Sequence, residues 1–370
     1  MVKDHCGLHN RDIHSSNGTA QMRAEVFEAG GTANASLAPS LILSVVIRFH
    51  NKERLPFLDQ ALFSLAIQYW HDLETIVVIQ NGTDEMKDAV IDLIERQPWP
   101  TPPRYKVLSC EIPEGVDGRS SLLNYGVSNA SGRYLAFLDD DDVVYQHGYT
   151  VLIRQLIAGG CAIAMGGCRT ARNEYKAGHW FVKIKESAFT YGRTRLDLFT
   201  RNFVPIHSYV IDRARTGTFD LWFDDELPPV EDYDFLLRLC AAFEPDFSKL
   251  DTPVCEYRFH GANSTPYDVA GTGLAGVPGP SLDKALRSMA KVDERKKQYT
   301  CSLPVSELAE LTEALAGLRN RLKHLQSDLE LERARITYRV ARIVTQFVDE
   351  HPSLAQPIKL VKSSLKIIRH

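Results

Sequence analysis

The sequence predicts an α/β protein, with a mostly parallel central sheet, helices on both of its faces, and a helical extension behind it. Three observations carry this prediction. Between residues 41 and 138, short apolar runs bounded by turn residues recur roughly every 30 residues. Amphipathic stretches lie between those runs, which is βαβ alternation. After Pro304, leucines fall at alternating spacings of three and four, the seam of a coiled coil.

The elements follow in order. Residues 1–40 are rich in Gly, Ser, Thr, Asn and Ala and read as a mobile tail. His5, Cys6, His9 and His14 lie in it, with no ordered scaffold to make them a metal site. LILSVVI (41–47) predicts a strand buried on both faces. Residues 55–68 predict an amphipathic helix with Pro56 near its start, where a missing N–H costs little. A strand at 74–79, a helix at 84–97, a strand at 105–111, a helix at 119–130 and a strand at 133–138 complete the alternation. Residues 147–265 are less regular, with a helix near 148–158, apolar runs CAIAMGG and HSYVI, and a helix at EDYDFLLRLCAAF. Residues 266–281 are Gly- and Pro-rich, so 266–302 reads as a linker with a helix.

In 303–347, Leu308, Leu311, Leu315, Leu318, Leu322, Leu325 and Leu329 form the seam. It predicts a coiled coil and a homo-oligomer; the alternative is a long helix packed back on its own domain. In 348–370, Ile358, Val361, Leu365 and Ile368 form one stripe, with Lys359, Lys362, Lys366 and Arg369 beside it. That is a basic amphipathic helix suited to an anionic membrane surface, or a solvated helix on the protein.

Composition limits the function. With 44% hydrophobic and 24% charged residues the balance is that of a globular protein, and a net charge of −4 gives no basic field for nucleic acid. Seven cysteines without a CxxC pair suggest reduced thiols in a cytoplasmic compartment. The N-terminus has no apolar core of a signal peptide, and the longest clean apolar run is far too short to span a bilayer. The expectation is a cytoplasmic protein, soluble or peripheral on the inner face of the membrane.

Chemistry concentrates at predicted strand ends, where open parallel sheets bind ligands. In YLAFLDDDDVVY (134–145) an apolar run ends on Asp139, Asp140, Asp141 and Asp142. Each close like-charge pair costs on the order of a few kcal/mol at an effective dielectric near 20. A divalent cation, Mn²⁺ or Mg²⁺, resolves that repulsion; a solvated turn is the plainer alternative. RFHNKE (48–53) and QNGTD (80–84) occupy the neighbouring strand ends. No G-x-G-x-x-G follows the first strand and no G-x-x-x-x-G-K-[ST] is present, against NAD, FAD or a P-loop.

LSVVIRFHNKERLPFLDQALFSLAIQ, ETIVVIQNGTDE, GRSSLLNYGVSNASGRYLAFLDDDDVVY and PPVEDYDFLLRL occur in this order. Together, over roughly residues 41–265, they resemble the family 2 glycosyltransferases of the GT-A fold. The resemblance implies a domain binding a nucleotide-diphospho-sugar and inverting transfer of the sugar. It places Asp139 and Asp141 on the DxD motif, Asp141 as the main metal ligand and Asp139 near the ribose or the metal, with Asp140 beside them. Arg48, His50, Asn51 and Glu53 fall in the loop beside the nucleoside, where only Asn51 matches the usual pattern. Asn81 stands where the family has an acidic residue at the base. Its side-chain carbonyl can still accept from a pyrimidine N3–H, which favours a UDP- or dTDP-sugar. Arg119 becomes a diphosphate clamp, although Leu123 replaces the family's usual arginine.

EDYD (231–234) resembles the acceptor-side acidic motif, with Asp232 as general base and Glu231 orienting the acceptor or capping the helix. Acidic residues favoured at any helix N-terminus are the plainer reading. His260, in YRFHGANS, is either a metal ligand or structural. The acceptor is then a hydroxyl of a glycan or lipid-linked saccharide, in bacterial surface polysaccharide assembly by analogy. Two other readings stand. A haloacid-dehalogenase-like phosphatase needs D-x-D-G-[TV], which is absent here; a non-catalytic sugar-nucleotide-binding scaffold on a coiled coil is the second.

Overall fold

The computed structural model describes residues 27–28, 41–176, 179–188, 192–260, 280–302 and 305–350. Contacts divide the chain into two compact units, Met1–Thr300 and Cys301–His370. In chain order, the first unit contains β1 (Phe27–Glu28), β2 (Leu43–Phe49), a 3₁₀ turn (Lys52–Arg54), α1 (Leu55–Ala66), β3 (Leu73–Gln80), α2 (Asp84–Glu95), β4 (Arg104–Cys110), α3 (Arg119–Asn129), β5 (Tyr134–Asp139) and β6 (Val143–Val144). It continues through α4 (Gly148–Gly159), β7 (Ile163–Lys176), β8 (His179–Ala188), α5 (Arg195–Thr200), a second 3₁₀ turn (Ile206–Ser208), β9 (Tyr209–Asp212), α6 (Arg213–Thr216), α7 (Glu231–Ala242), β10 (Asp246–His260) and α8 (Pro280–Lys296). The second unit contains α9 (Val305–Glu350).

The sheet runs β1-β4-β3-β2-β5-β9-β7-β10-β6, with β8 paired to β7. The block β4-β3-β2-β5 is parallel, as the βαβ alternation predicts. β9 then joins antiparallel to both β5 and β7, and β10 pairs parallel with β7. β2 sits inside the parallel block and is almost wholly buried, which explains its unbroken apolar run. Apolar side chains pack on both faces. Val46, Val78 and Phe137 face α3 and α7 on one side, while Val45, Val77 and Ala136 face α1, α2 and α4 on the other. α3 lies so close to β2 that a Cβ on Gly126 would stand 2.2 Å from Val46 Cγ1, so glycine is required there.

Three features differ from the expectation. Phe27–Glu28, inside the expected tail, pairs antiparallel with Val107 and Lys106 as an edge strand. β7 and β8 form a long hairpin where no strand pair was predicted, because Arg-Thr-Ala-Arg-Asn-Glu-Tyr-Lys has no apolar run to announce it. α8 lies in the first unit and packs on it: Ser288 Oγ donates to Pro228 O at 2.9 Å, Arg295 donates to Asp234 at 3.0 Å and pairs with Asp224, and Lys296 Nζ lies over the Tyr233 ring.

The predicted seam lies on one continuous helix of 46 residues, about 69 Å at 1.5 Å per residue. Leu308, Leu315, Leu318, Leu322, Leu325 and Leu329 are each more than half exposed in the single chain, and Leu311 is partly exposed. The amphipathic stripe of Ile358, Val361, Leu365 and Ile368 lies outside the described residues, as do His5, Cys6, His9 and His14. No described helix is long and apolar enough to cross a membrane.

Candidate active site

The strand register builds the site. Arg48 on β2 is directly opposite Asp139 on β5. Its Nε donates to Asp139 Oδ1 at 2.8 Å. The other end of the guanidinium donates through Nη1 to Glu231 Oε1, also at 2.8 Å. One arginine therefore ties the aspartate turn after β5 to the first residue of α7. Burial works against charge on Asp139, yet Arg48 outweighs it and holds the carboxyl below its ordinary range.

Each aspartate of the run has its own partners, and they alternate in exposure. Asp140 and Asp142 are buried, whereas Asp139 and Asp141 reach the cleft. Arg54 grips Asp140 with two bonds of 2.7 and 2.6 Å and reaches Asp141 Oδ2 at 2.8 Å. Asp142 Oδ1 accepts from the Arg258 main-chain N–H at 2.7 Å, and its Oδ2 lies 3.2 Å from His207 Nδ1. Burial opposes a charge on His207, but Asp142 and the Cys168 thiol push its pKa up to about 9. Arginines, histidine and main chain thus hold the run together, where the sequence suggested a divalent cation or a solvated turn.

The cleft above the turn encloses about 310 Å³ and is lined by Arg48, His50, Arg54, Gln80, Arg119, Arg258 and the four aspartates. A second hollow, sharing Arg48, Arg119 and Asp139, extends to His207, Glu231 and Asp232. Glu231 is buried, and its Oε2 lacks a hydrogen-bond partner among the described residues. Asp232 has one oxygen on the Tyr233 N–H at 2.7 Å and no cation partner among the described residues. Burial pushes its carboxyl up to about 7, and the charge of Glu231 adds to that, against Arg48. A carboxyl poised near neutrality beside a cleft can exchange a proton at working pH.

The remaining expected residues divide. His50 lines the cleft, and burial followed by Arg54 and Arg48 lowers its pKa. Asn51 instead caps the 3₁₀ turn, accepting from Glu53 N at 2.9 Å, and Glu53 is exposed outside the cleft lining. Arg119 lines the cleft and forms two bonds to Asp117, of 2.9 and 2.7 Å, 3.9 Å from Glu231.

Asn81 has a different occupation from the one expected. It adopts a left-handed backbone, φ 50°, and closes a ring with Ile112. Its Oδ1 accepts from Ile112 N at 2.7 Å and its Nδ2 donates to Ile112 O at 2.9 Å. With that amide engaged, Gln80 is the side chain from this strand end that faces the cleft.

His260 Nε2 lies 3.3 Å from the main-chain oxygen of Asp141, and its ring packs on Phe57 and Trp180, with centroids at 4.1 and 5.2 Å. Arg54, Gln80 and His207 were missed by the sequence reading. Only Gln80 had a local signal, its place at a predicted strand end.

Residues 44–213 match glycosyl transferase family 2. This part of the chain belongs to that family. The match contains Arg48, Arg119 and all four aspartates; Glu231, Asp232 and His260 lie beyond it. The mixed α/β architecture with its parallel block agrees with the fold class that the resemblance implied, and the long C-terminal helix with the predicted helical extension.

Among curated proteins, a GalNAc(5)-diNAcBac-PP-undecaprenol beta-1,3-glucosyltransferase of Campylobacter jejuni is 32% identical over 127 residues, 34% of this chain and 38% of its own length. An uncharacterized glycosyltransferase of Nostoc sp. is 30% identical over 105 residues, 28% of this chain and 30% of its own length. The matched region thus spans about a third of these relatives. Among solved structures, S. aureus TarS in complex with UDP-GlcNAc superposes with a TM-score of 0.48 at 16% identity, covering 70% of each chain. A mannosyltransferase of Pyrobaculum calidifontis in complex with GDP-Man and Mn²⁺ gives 0.43 at 14% identity, covering 76% of this chain and 81% of the other.

Proposed function

We propose that this chain is an inverting glycosyltransferase that moves a sugar from a nucleotide-diphosphate donor to a hydroxyl of a glycan or lipid-linked acceptor. The observation that carries the reading is Arg48, which joins the donor-side Asp139 to Glu231, next to an Asp232 carboxyl with a pKa of about 7. In the proposed step Asp232 takes the proton of the acceptor hydroxyl. The hydroxyl oxygen bonds to the anomeric carbon from the face opposite the diphosphate. The carbon–oxygen bond to the diphosphate breaks, and nucleoside diphosphate leaves. Arg119 binds the diphosphate, Gln80 faces the base, and Glu231 Oε2 accepts a sugar or acceptor hydroxyl.

The donor side fits a divalent cation, Mn²⁺ or Mg²⁺. Asp139 and Asp141 both reach the cleft, and the arginine bonds engage one oxygen of each. Such an ion supplies positive charge to the leaving diphosphate. The third proposed ligand, His260, lies against this turn, with Nε2 3.3 Å from the Asp141 main-chain oxygen. A metal-independent variant is favoured by one observation: Arg54 already bridges Asp140 and Asp141.

Gln80, which faces the cleft in place of Asn81 and carries an amide able to pair with a pyrimidine edge, supports UDP- or dTDP-sugars as donors. The relative named for a PP-undecaprenol substrate supports a lipid-linked acceptor, and with it surface polysaccharide assembly at the inner face of the membrane. The exposed seam of α9 supports a homo-oligomeric coiled coil.

Donor turnover decides among the readings. With Mn²⁺ and a matched donor, release of nucleoside diphosphate supports the transferase. Release of inorganic phosphate indicates a phosphatase, and binding without turnover indicates a scaffold. Equal turnover in excess chelator selects the metal-independent variant.

A further inference from the structure

Beneath the aspartate turn is a second cluster that the transfer reaction does not use. Cys168 on β7 and Cys255 on β10 are direct partners in the parallel ladder. Val144, two residues past Asp142, is the partner of Cys255 on its other side. Both cysteines are buried free thiols. His207, also buried, brings Nε2 to 3.7 Å from Cys168 Sγ. The two sulfurs and the imidazole nitrogen all lie within 4.8 Å of one another.

We propose that Cys168, Cys255 and His207 form a transition-metal site, Zn²⁺ in the first instance, separate from the Asp139–Asp141 site. The geometry is close to what zinc requires. Zn–S near 2.3 Å and Zn–N near 2.0–2.1 Å in a tetrahedron place sulfur and nitrogen about 3.6 Å apart. The observed 3.7 Å needs almost no adjustment, and the longest separation, 4.8 Å at most, closes with a shift of no more than about 1.2 Å. Binding displaces the His207 ring proton and the thiol protons, after which two thiolates, a neutral imidazole and a dication sum to zero charge, which suits a buried position. Soft sulfur ligands also separate the two sites chemically, because thiolates select zinc while carboxylates select Mg²⁺ or Mn²⁺. Three protein ligands leave a fourth position for water.

The far side of His207 supports the assignment. Its Nδ1 lies 3.2 Å from the Asp142 carboxylate, at ion-pair distance but not aligned as a hydrogen bond, so a small turn of the ring would complete one. A ligating histidine ordinarily gives its other ring N–H to a carboxylate, which fixes the ring and raises its basicity. Asp142 is thus a positioning residue. It couples the ion to the turn that displays Asp139 and Asp141, so the zinc would fix the height of that turn against β7 and β10.

The test measures metal directly on the full chain. Protein grown with zinc, purified and dialysed against metal-free buffer should retain about one zinc per chain. Exchange for Co²⁺ should produce thiolate-to-cobalt charge-transfer absorption. Asp141→Ala should retain both signals, whereas Cys168→Ser and Cys255→Ser should each lose about half or more of the charge-transfer intensity and at least tenfold in zinc affinity. The proposal is overturned if wild-type protein holds no zinc and gives no cobalt–thiolate band. It is equally overturned if Cys168 and Cys255 are recovered as a disulfide in protein isolated anaerobically. The wild-type measurements decide the matter even if a serine variant fails to fold.

Discussion

Asp139 and Asp232 are both aspartates near Arg48, yet their environments drive them in opposite directions. Asp139 bonds to the guanidinium and is held below its ordinary pKa. Asp232 stands beside Glu231, whose carboxylate takes the other end of that same arginine, and its pKa rises to about 7. The first is fixed as an anion, suited to a cation and a diphosphate. The second is left able to take and release a proton. The difference comes from which neighbour the arginine touches, so roles in this cleft are assigned by partners and not by residue type.

The sharpest way to break the comparison is to remove the acceptor-side proton site. Asp232→Asn keeps shape but cannot take a proton, and should cut transfer by roughly 10²- to 10⁴-fold while donor affinity stays near wild type. Turnover and donor calorimetry on the same protein check this. Glu231→Gln should cost less in turnover, because it alters orientation and not the proton acceptor.

Next comes the shared arginine. Arg48→Ala leaves Asp139 and the buried Glu231 without their common cation. Loss of one partner of a buried pair costs roughly 3–5 kcal/mol, read as a lower denaturant midpoint. Arg54→Ala touches only the donor side. It should lower stability by roughly 2–4 kcal/mol and raise the requirement for metal, while leaving the pH dependence of turnover in place. If Arg54→Ala displaced that pH dependence as much as Arg48→Ala, the two sides would not be electrostatically separate.

The smallest effect on chemistry is expected from α9. Replacing Leu318 and Leu322 by Glu should convert an oligomer to a monomer by light scattering, with turnover per chain changed less than twofold because none of the described residues lining the cleft lies on that helix. An unchanged mass would show that the exposed leucines do not pair chains.

What the sequence disclosed follows from how far apart the interacting residues lie. The parallel block was legible because burial on both faces writes itself as an unbroken apolar run, as in Leu43–Phe49. The aspartate turn was legible because it ends such a run. The partners of those aspartates were not legible: Arg48 meets Asp139 across 91 positions and Arg54 meets Asp140 across 86, and only the register β2–β5 brings them together. His207 lay inside HSYVI, which reads as an apolar run, and its contacts with Asp142 and Cys168 exist only once β7, β9 and β10 have assembled. The contacts of Asn81 were not legible either, because its left-handed backbone and its ring with Ile112 leave no trace in local pattern.

The central claim is that Asp232 is the proton acceptor and that its environment sets its pKa near 7. Its direct test is the pH dependence of kcat/KM at saturating metal, which reports ionisations of the free enzyme. Because the base is active only when deprotonated, the wild-type value should rise with pH, inflect near 7 and reach a plateau above it. The Asp232→Asn profile should be low and lack that inflection. A wild-type profile that is flat through this range, or an Asp232→Asn profile that keeps the same inflection, would contradict the account.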